Sequence, residues 1–99
     1  MVPGIDFSGE IEESSNANFK IGDKVILNGF GVGEKHWGGM SQKARVNGDW
    51  LIKMPKTFNF EQSMVIGSAG YTASLCVLRI LDNLKNHNNP QILVTGASG

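Results

Sequence analysis

The sequence predicts an α+β chain: a β-rich, barrel-like unit, then helices, then one buried strand that opens a doubly wound α/β unit. Three observations predict it. Apolar residues alternate with period two in the first part of the chain. The period then changes to that of a helix over residues 59–84. Finally a short, fully apolar run, Ile92-Leu93-Val94, leads straight into a glycine turn.

Each element has its own reason. Ile5, Phe7, Gly9 and Ile11 alternate with Asp6, Ser8, Glu10 and Glu12, as in a half-buried strand. Residues 13–18 are polar and turn-rich, a surface loop. A turn on Gly22-Asp23 leads into Val25-Ile26-Leu27, a short run of strand composition. Residues 29–39 form a glycine-rich loop. Met40, Gln42, Ala44 and Val46 alternate with Ser41, Lys43 and Arg45, predicting a second half-exposed strand. Asn47-Gly48 is a hairpin signal, and Trp50-Leu51-Ile52-Lys53-Met54 is the expected partner strand. Asn59-Phe60-Glu61-Gln62 has the form of a capping box, so a short helix should run to about Ile66. A second helix should run from about Ser68 to Leu84. It is apolar nearly all round, which predicts burial on several sides, Cys76 included.

Composition excludes several classes. The chain has 99 residues, room for one small domain at most, and is globular in composition. Nine Lys+Arg balance nine Asp+Glu, so no global basic field exists for nucleic acid or a membrane surface. One cysteine excludes an internal disulfide framework and any multi-cysteine metal site. The longest near-continuous apolar run, residues 75–81, falls short of the ~20 residues that span a bilayer. The N-terminus has no signal core, so a soluble cytoplasmic protein is the default expectation.

The motif closest to chemistry is Val94-Thr95-Gly96-Ala97-Ser98-Gly99. A buried strand ending in Gly-x-x-Gly can aim the amides of a following helix at a phosphate; the alternative is an ordinary turn. Gly29-Phe30-Gly31-Val32-Gly33 lacks the further glycine and the helix of a dinucleotide fingerprint and reads as a long connection. His36 and Trp37 are either a base and a substrate platform or a pair that pins this loop. Glu10, Glu12 and Glu13 read as a solvated face. Thr72 is a polar residue in the first turn of an apolar helix, where it can hydrogen-bond the backbone.

Several segments appear together in a known order. They are Pro3-Gly4-Ile5-Asp6-Phe7-Ser8-Gly9, Gly22-Asp23-Lys24-Val25, Gly31-Val32-Gly33-Glu34-Lys35-His36-Trp37-Gly38-Gly39, Gly48-Asp49-Trp50-Leu51, Gly67-Ser68-Ala69-Gly70-Tyr71-Thr72-Ala73 and the terminal glycine turn. On these the chain resembles the quinone-oxidoreductase-like branch of the medium-chain dehydrogenase/reductases, most closely the acrylyl-CoA reductase group. The resemblance implies a fragment: part of a GroES-like β-barrel catalytic domain (residues 1–66), then a linking helix with the first strand and truncated phosphate loop of a Rossmann α/β domain (residues 67–99). It implies NADPH as cofactor and reduction of the carbon–carbon double bond of a small-molecule enoyl thioester. It also implies a homodimer for the full-length family and no nucleic-acid or membrane partner.

The same resemblance carries the site over residue by residue. Gly96, Ser98 and Gly99 match the opening of the phosphate-binding turn, and Thr72 matches a threonine near the nicotinamide end of the cofactor. Residues 31–39 would border the substrate cleft. Ile5 and Ser68 stand where zinc-dependent relatives have histidine and cysteine ligands, which implies a zinc-free site. No catalytic residue is assigned, since those of the family are expected outside this segment, and the isolated chain is expected to be inactive. The competing readings are a non-catalytic module or truncated reading frame, and a short-chain dehydrogenase. The ninety or so residues ahead of the glycine turn argue against the last.

Overall fold

The computed structural model describes residues 1–98. Strands β1 (Asp6–Glu10), β2 (Lys24–Asn28) and β3 (Ile52–Lys53) form an antiparallel sheet in the order β1-β2-β3, and helix α1 (Phe60–Leu84) follows. β2 is central, which is why Val25, Ile26 and Leu27 are buried in succession rather than alternately. With Val32 and Met54 they make up the buried apolar core of the described residues. The α+β class expected from the sequence therefore holds.

Register fixes the site. β1 and β2 pair so that Asp6 lies opposite Asn28 and Glu10 opposite Lys24. The turn ahead of β2 forms where expected: the Lys20 N–H donates to the Asp23 carboxylate at 3.1 Å, and Lys53 pairs with Asp23 at 3.3 Å. The start of α1 packs against β1 and β2. The Ser8 hydroxyl donates to the Phe60 carbonyl at 3.2 Å, and the Lys24 ammonium lies 5.4 Å from the centre of the Phe60 ring.

The capping box is present in both halves. The Asn59 side chain accepts from the Gln62 N–H at 2.8 Å, and Gln62 accepts from the Asn59 N–H at 3.1 Å. The two expected helices run on through α1 but are separated in conformation at Gly67, whose φ of 50° and ψ of −159° lie outside the helical region.

Five expectations are corrected. Residues 40–46 form no strand. Their entry is tied to the N-terminal segment instead, with the Gly38 and Met40 N–H groups donating to the Val2 and Pro3 carbonyls at 2.8 and 3.0 Å. Asn47-Gly48 makes no hairpin. Asn47 has φ −66°, not the positive value a type I′ turn requires, and its side chain accepts from the Asp49 N–H to cap a 3₁₀ turn over Gly48–Trp50. The strand that follows shrinks to Ile52–Lys53 and pairs with β2.

The second half of α1 is exposed rather than buried, Leu75, Leu78 and Cys76 included. Nothing else among the described residues covers that side. Residues 92–94 form no strand and are exposed, because no neighbouring strand pairs with them; the expected first Rossmann strand is not formed. By length and composition α1 is long and apolar enough to cross a membrane, which the short run at residues 75–81 did not reveal. The break at Gly67 divides it, leaving residues 68–84 as its longer regular stretch.

The contrast between core and helix face yields a paired prediction. Leu27→Ala, at a fully buried position, should lower the free energy of urea unfolding by about 2–5 kcal/mol. Leu78→Gln should change it by less than ~0.5 kcal/mol while reducing self-association in light scattering. Equal costs for the two would place the core elsewhere.

Candidate functional site

The centre of the site is a carboxylate where sheet and helix meet. Asp6 opens β1, and the break at Gly67 turns the next helical segment toward it. A Cβ at Gly67 would lie 3.1 Å from Asp6 Oδ2, and the residue's φ is positive, so glycine fits here where a side chain would not. The Ser68 N–H donates to Asp6 Oδ2 at 2.8 Å and the Ser68 hydroxyl to Oδ1 at 2.6 Å. The Asn28 side-chain amide adds a third bond at 3.1 Å. Asp6 thus supplies the anion at the start of residues 68–84, where free helix N–H groups favour negative charge. Partial burial opposes its ionisation. Donation from the Ser68 hydroxyl, the Ser68 N–H and the Asn28 amide outweighs that, and holds the carboxyl below its ordinary value.

Beside this junction lies a cleft of about 400 Å³. Asn28, Phe30, Trp50, Ser68, Tyr71 and Thr72 contribute to its lining. Phe30 and Trp50 stack with ring centres 5.5 Å apart and planes 11° from parallel, forming a flat aromatic wall. The Thr72 hydroxyl donates to the Ser68 carbonyl at 2.9 Å. Its proton is thus committed to the backbone, and its oxygen keeps lone pairs in a residue that lines the cleft.

A second cleft, of about 430 Å³, is lined by Val2, Lys35, His36, Trp37, Lys43 and Arg45 among others. The glycine-rich loop reaches both clefts, through Phe30 at one end and residues 35–38 at the other. It is fastened to the N-terminal segment so closely that a Cβ at Gly38 would overlap the backbone of Pro3 and Gly4. His36 does pin the loop, but on Trp50, with ring centres 4.9 Å apart. Trp37 is 70% exposed and pins nothing.

The remaining predicted residues do not join Thr72. Gly96 takes a left-handed φ of 60°, yet neither Gly96 nor Ser98 lines either cleft. About 25 Å of helix separates that turn from Ser68, at 1.5 Å per residue. Gly99 lies outside the described residues. Asp6 was missed as a site residue because alternation placed it on the outer face of a strand. Its signal, an acid at the sheet edge and a Gly-Ser pair at the helix break, is legible only once the two are adjacent. Among the described residues no group of three His, Cys, Asp or Glu side chains could hold a metal ion.

Comparison with known proteins gives a consistent result. Residues 1–56 match the family described as the alcohol dehydrogenase GroES-like domain. The chain is 50% identical over 98 residues to an acrylyl-CoA reductase, AcuI, of Ruegeria pomeroyi, which covers 99% of this chain and 30% of that protein. It is 48% identical over 99 residues to a protein of Escherichia coli K12 named a probable acrylyl-CoA reductase, covering 100% of this chain and 31% of that protein. The chain thus spans about a third of the length of the curated relatives it matches. The crystal structure of the yhdH oxidoreductase from Salmonella enterica in complex with NADP superposes with a TM-score of 0.79 at 49% identity, over 83% of this chain and 25% of that one.

The Asp6 bonds carry a pH signature. Since its folded pKa is depressed, its contribution to stability is present above the ordinary value of 3.8 and is lost as pH falls through the folded value. Asp6→Asn should therefore lower stability by about 1.5–3 kcal/mol at neutral pH, the worth of hydrogen bonds to a charged group. The gap between wild type and variant should narrow on acidification below 3.8, followed by thermal unfolding across pH. A gap independent of pH would remove the charge from the account.

Proposed function

The chain belongs to the alcohol dehydrogenase GroES-like domain family, and from that premise we propose that it is a segment of an NADPH-dependent oxidoreductase that saturates the carbon–carbon double bond of an enoyl thioester such as acrylyl-CoA. The observation that carries this reading is the cleft beside Asp6, where Thr72 and Ser68 face the Phe30–Trp50 stack across one apolar space. The 48–50% identity to acrylyl-CoA reductases along the length of the chain supports the substrate class. Residues 1–66 would belong to the catalytic domain, and residues 67–99 would begin the cofactor domain.

The residues present fit the nicotinamide end of such a cofactor. The aromatic wall offers a flat apolar surface, and the Thr72 oxygen, its proton given to the Ser68 carbonyl, is fixed as an acceptor for a carboxamide N–H. The chemistry such a cofactor would supply when bound is hydride transfer to the β-carbon, with a proton then taken at the α-carbon. This chain's residues align the reacting ring and exclude water from one side of it; the proton donor is not assigned to them. Gly96, Ser98 and Gly99 would open the phosphate-binding turn, the Ser98 N–H and hydroxyl being donors suited to a pyrophosphate. No zinc is invoked. Ile5 has no donor atom, Ser68 offers no thiolate, and the Asp6 carboxylate is engaged by Ser68 and Asn28. The same reading carries a cytoplasmic homodimer acting on a small molecule.

The test is the protein expressed from its full reading frame, with oxidation of NADPH by acrylyl-CoA as the readout. Activity should persist in a strong chelator; loss on chelation with recovery on adding zinc would overturn the metal-free site. Thr72→Val keeps the shape and should cost about ten-fold or more in turnover, as misalignment of reacting groups does. Unchanged kinetics would return Thr72 to its helix-bonding role alone.

A further inference from the structure

We propose that the second cleft, at Lys35, Trp37 and Arg45, binds the phosphorylated adenosine end of a coenzyme A thioester. This rests on the reductase reading and deepens it: the enzyme would take thioesters of coenzyme A in preference to those of a bare pantetheine.

The charges come first. Lys35, Lys43 and Arg45 line the cleft together. Lys43 is paired with Glu12 at 2.6 Å. Lys35 and Arg45 form no ion pair among the described residues, so both remain available to an anion. In a chain of zero formal net charge this is a local basic surface. The stem of Lys35 runs along Gly31, within 3.5 Å of where a Cβ there would sit, so its course is set by the loop. Arg45 can grip a phosphate through two parallel N–H bonds.

The aromatic group comes second. Trp37 lines the same cleft and is 70% exposed, with its backbone held in a loop closed by bonds from the Lys35 N–H to the Gly31 carbonyl and from the Gly33 N–H to the His36 carbonyl, both at 2.7 Å. An exposed indole on a fastened loop, flanked by cations, suits a purine that carries phosphates.

His36 lines the second cleft, and its ring packs on Trp50, which lines the first. That contact links the linings of the two clefts, so one extended ligand could have its acyl group beside Thr72 and its phosphates beside Arg45. On the reading above, the phosphates of the nicotinamide cofactor would instead go to the glycine turn beyond α1.

The protein from the full reading frame tests this with three probes: acrylyl-CoA, the acrylyl thioester of pantetheine, and adenosine 3′,5′-bisphosphate. The wild type should prefer acrylyl-CoA through KM, and the bisphosphate should compete with it. The double variant Lys35→Gln, Arg45→Gln should lose about ten-fold of that preference, in KM rather than kcat, the size expected when charge-assisted bonds are removed. Trp37→Leu should lose a smaller part of it. Equal KM values for the two thioesters in the wild type would overturn the proposal, as would a matching loss of NADPH affinity in the double variant, which would give the cleft to the cofactor. If neither thioester is reduced, the reductase reading fails on its own. Calorimetry with the bisphosphate then decides the cleft: binding lost in the double variant upholds it, and no binding by the wild type overturns it.

Discussion

The carboxylate of Asp6 joins the two halves of this chain. It stands at the start of β1, opposite Asn28, and takes both the N–H and the hydroxyl of Ser68 from the far side of the helix break. Remove it, and the N-terminus of residues 68–84 has no anion, the Asn28 amide loses its partner, and nothing polar ties α1 to the sheet edge at this point. The helix would keep its packing at Phe60 and lose the bond that sets its direction after Gly67. Thr72 is one turn further on, so the position of its oxygen in the cleft depends on that bond.

This arrangement explains why the site lies between the sheet and the first turns after Gly67 and not further along α1. Residues 5–54 bury a small core around β2, and the glycine-rich loop is bound back onto the N-terminal segment at several backbone positions. The cleft beside Asp6 is lined by one end of that fastened loop, by Trp50 and by the first turns after Gly67, and the second cleft by the other end of the loop and residues 41–45. Beyond Thr72 the helix runs clear of the sheet with Leu75, Leu78 and Leu81 exposed. A helix face of that composition belongs against other structure, as the proposed cofactor domain would provide.

Local signals in the sequence translated well where the deciding interactions were local. The capping box at Asn59 and Gln62 and the turn on Gly22-Asp23 involve groups a few residues apart. Signals whose meaning depends on a distant partner did not. Alternation over residues 40–46 predicts a strand only if another strand is there to pair with it. Asn47-Gly48 reads as a hairpin until the Asn47 side chain is seen to cap a 3₁₀ turn. Residues 92–94 have the composition of a central strand and no neighbours among the described residues to make them one. Among the residues at the cleft, Thr72 was singled out through family resemblance, whereas Asp6, Phe30 and Trp50 emerge only from packing, since each contacts a residue more than ten positions away.

The claim that the Asp6–Ser68 bond couples sheet to helix is most directly tested by a double-mutant cycle with Asp6→Asn and Ser68→Ala, read as free energies of unfolding at neutral pH. The account predicts a coupling energy of about 1.5–3 kcal/mol, as for hydrogen bonds to a charged group in direct contact. A coupling near zero, with the two losses simply adding, would mean that the two residues stabilise the chain independently and that the direction of the helix beyond Gly67 is set by something else.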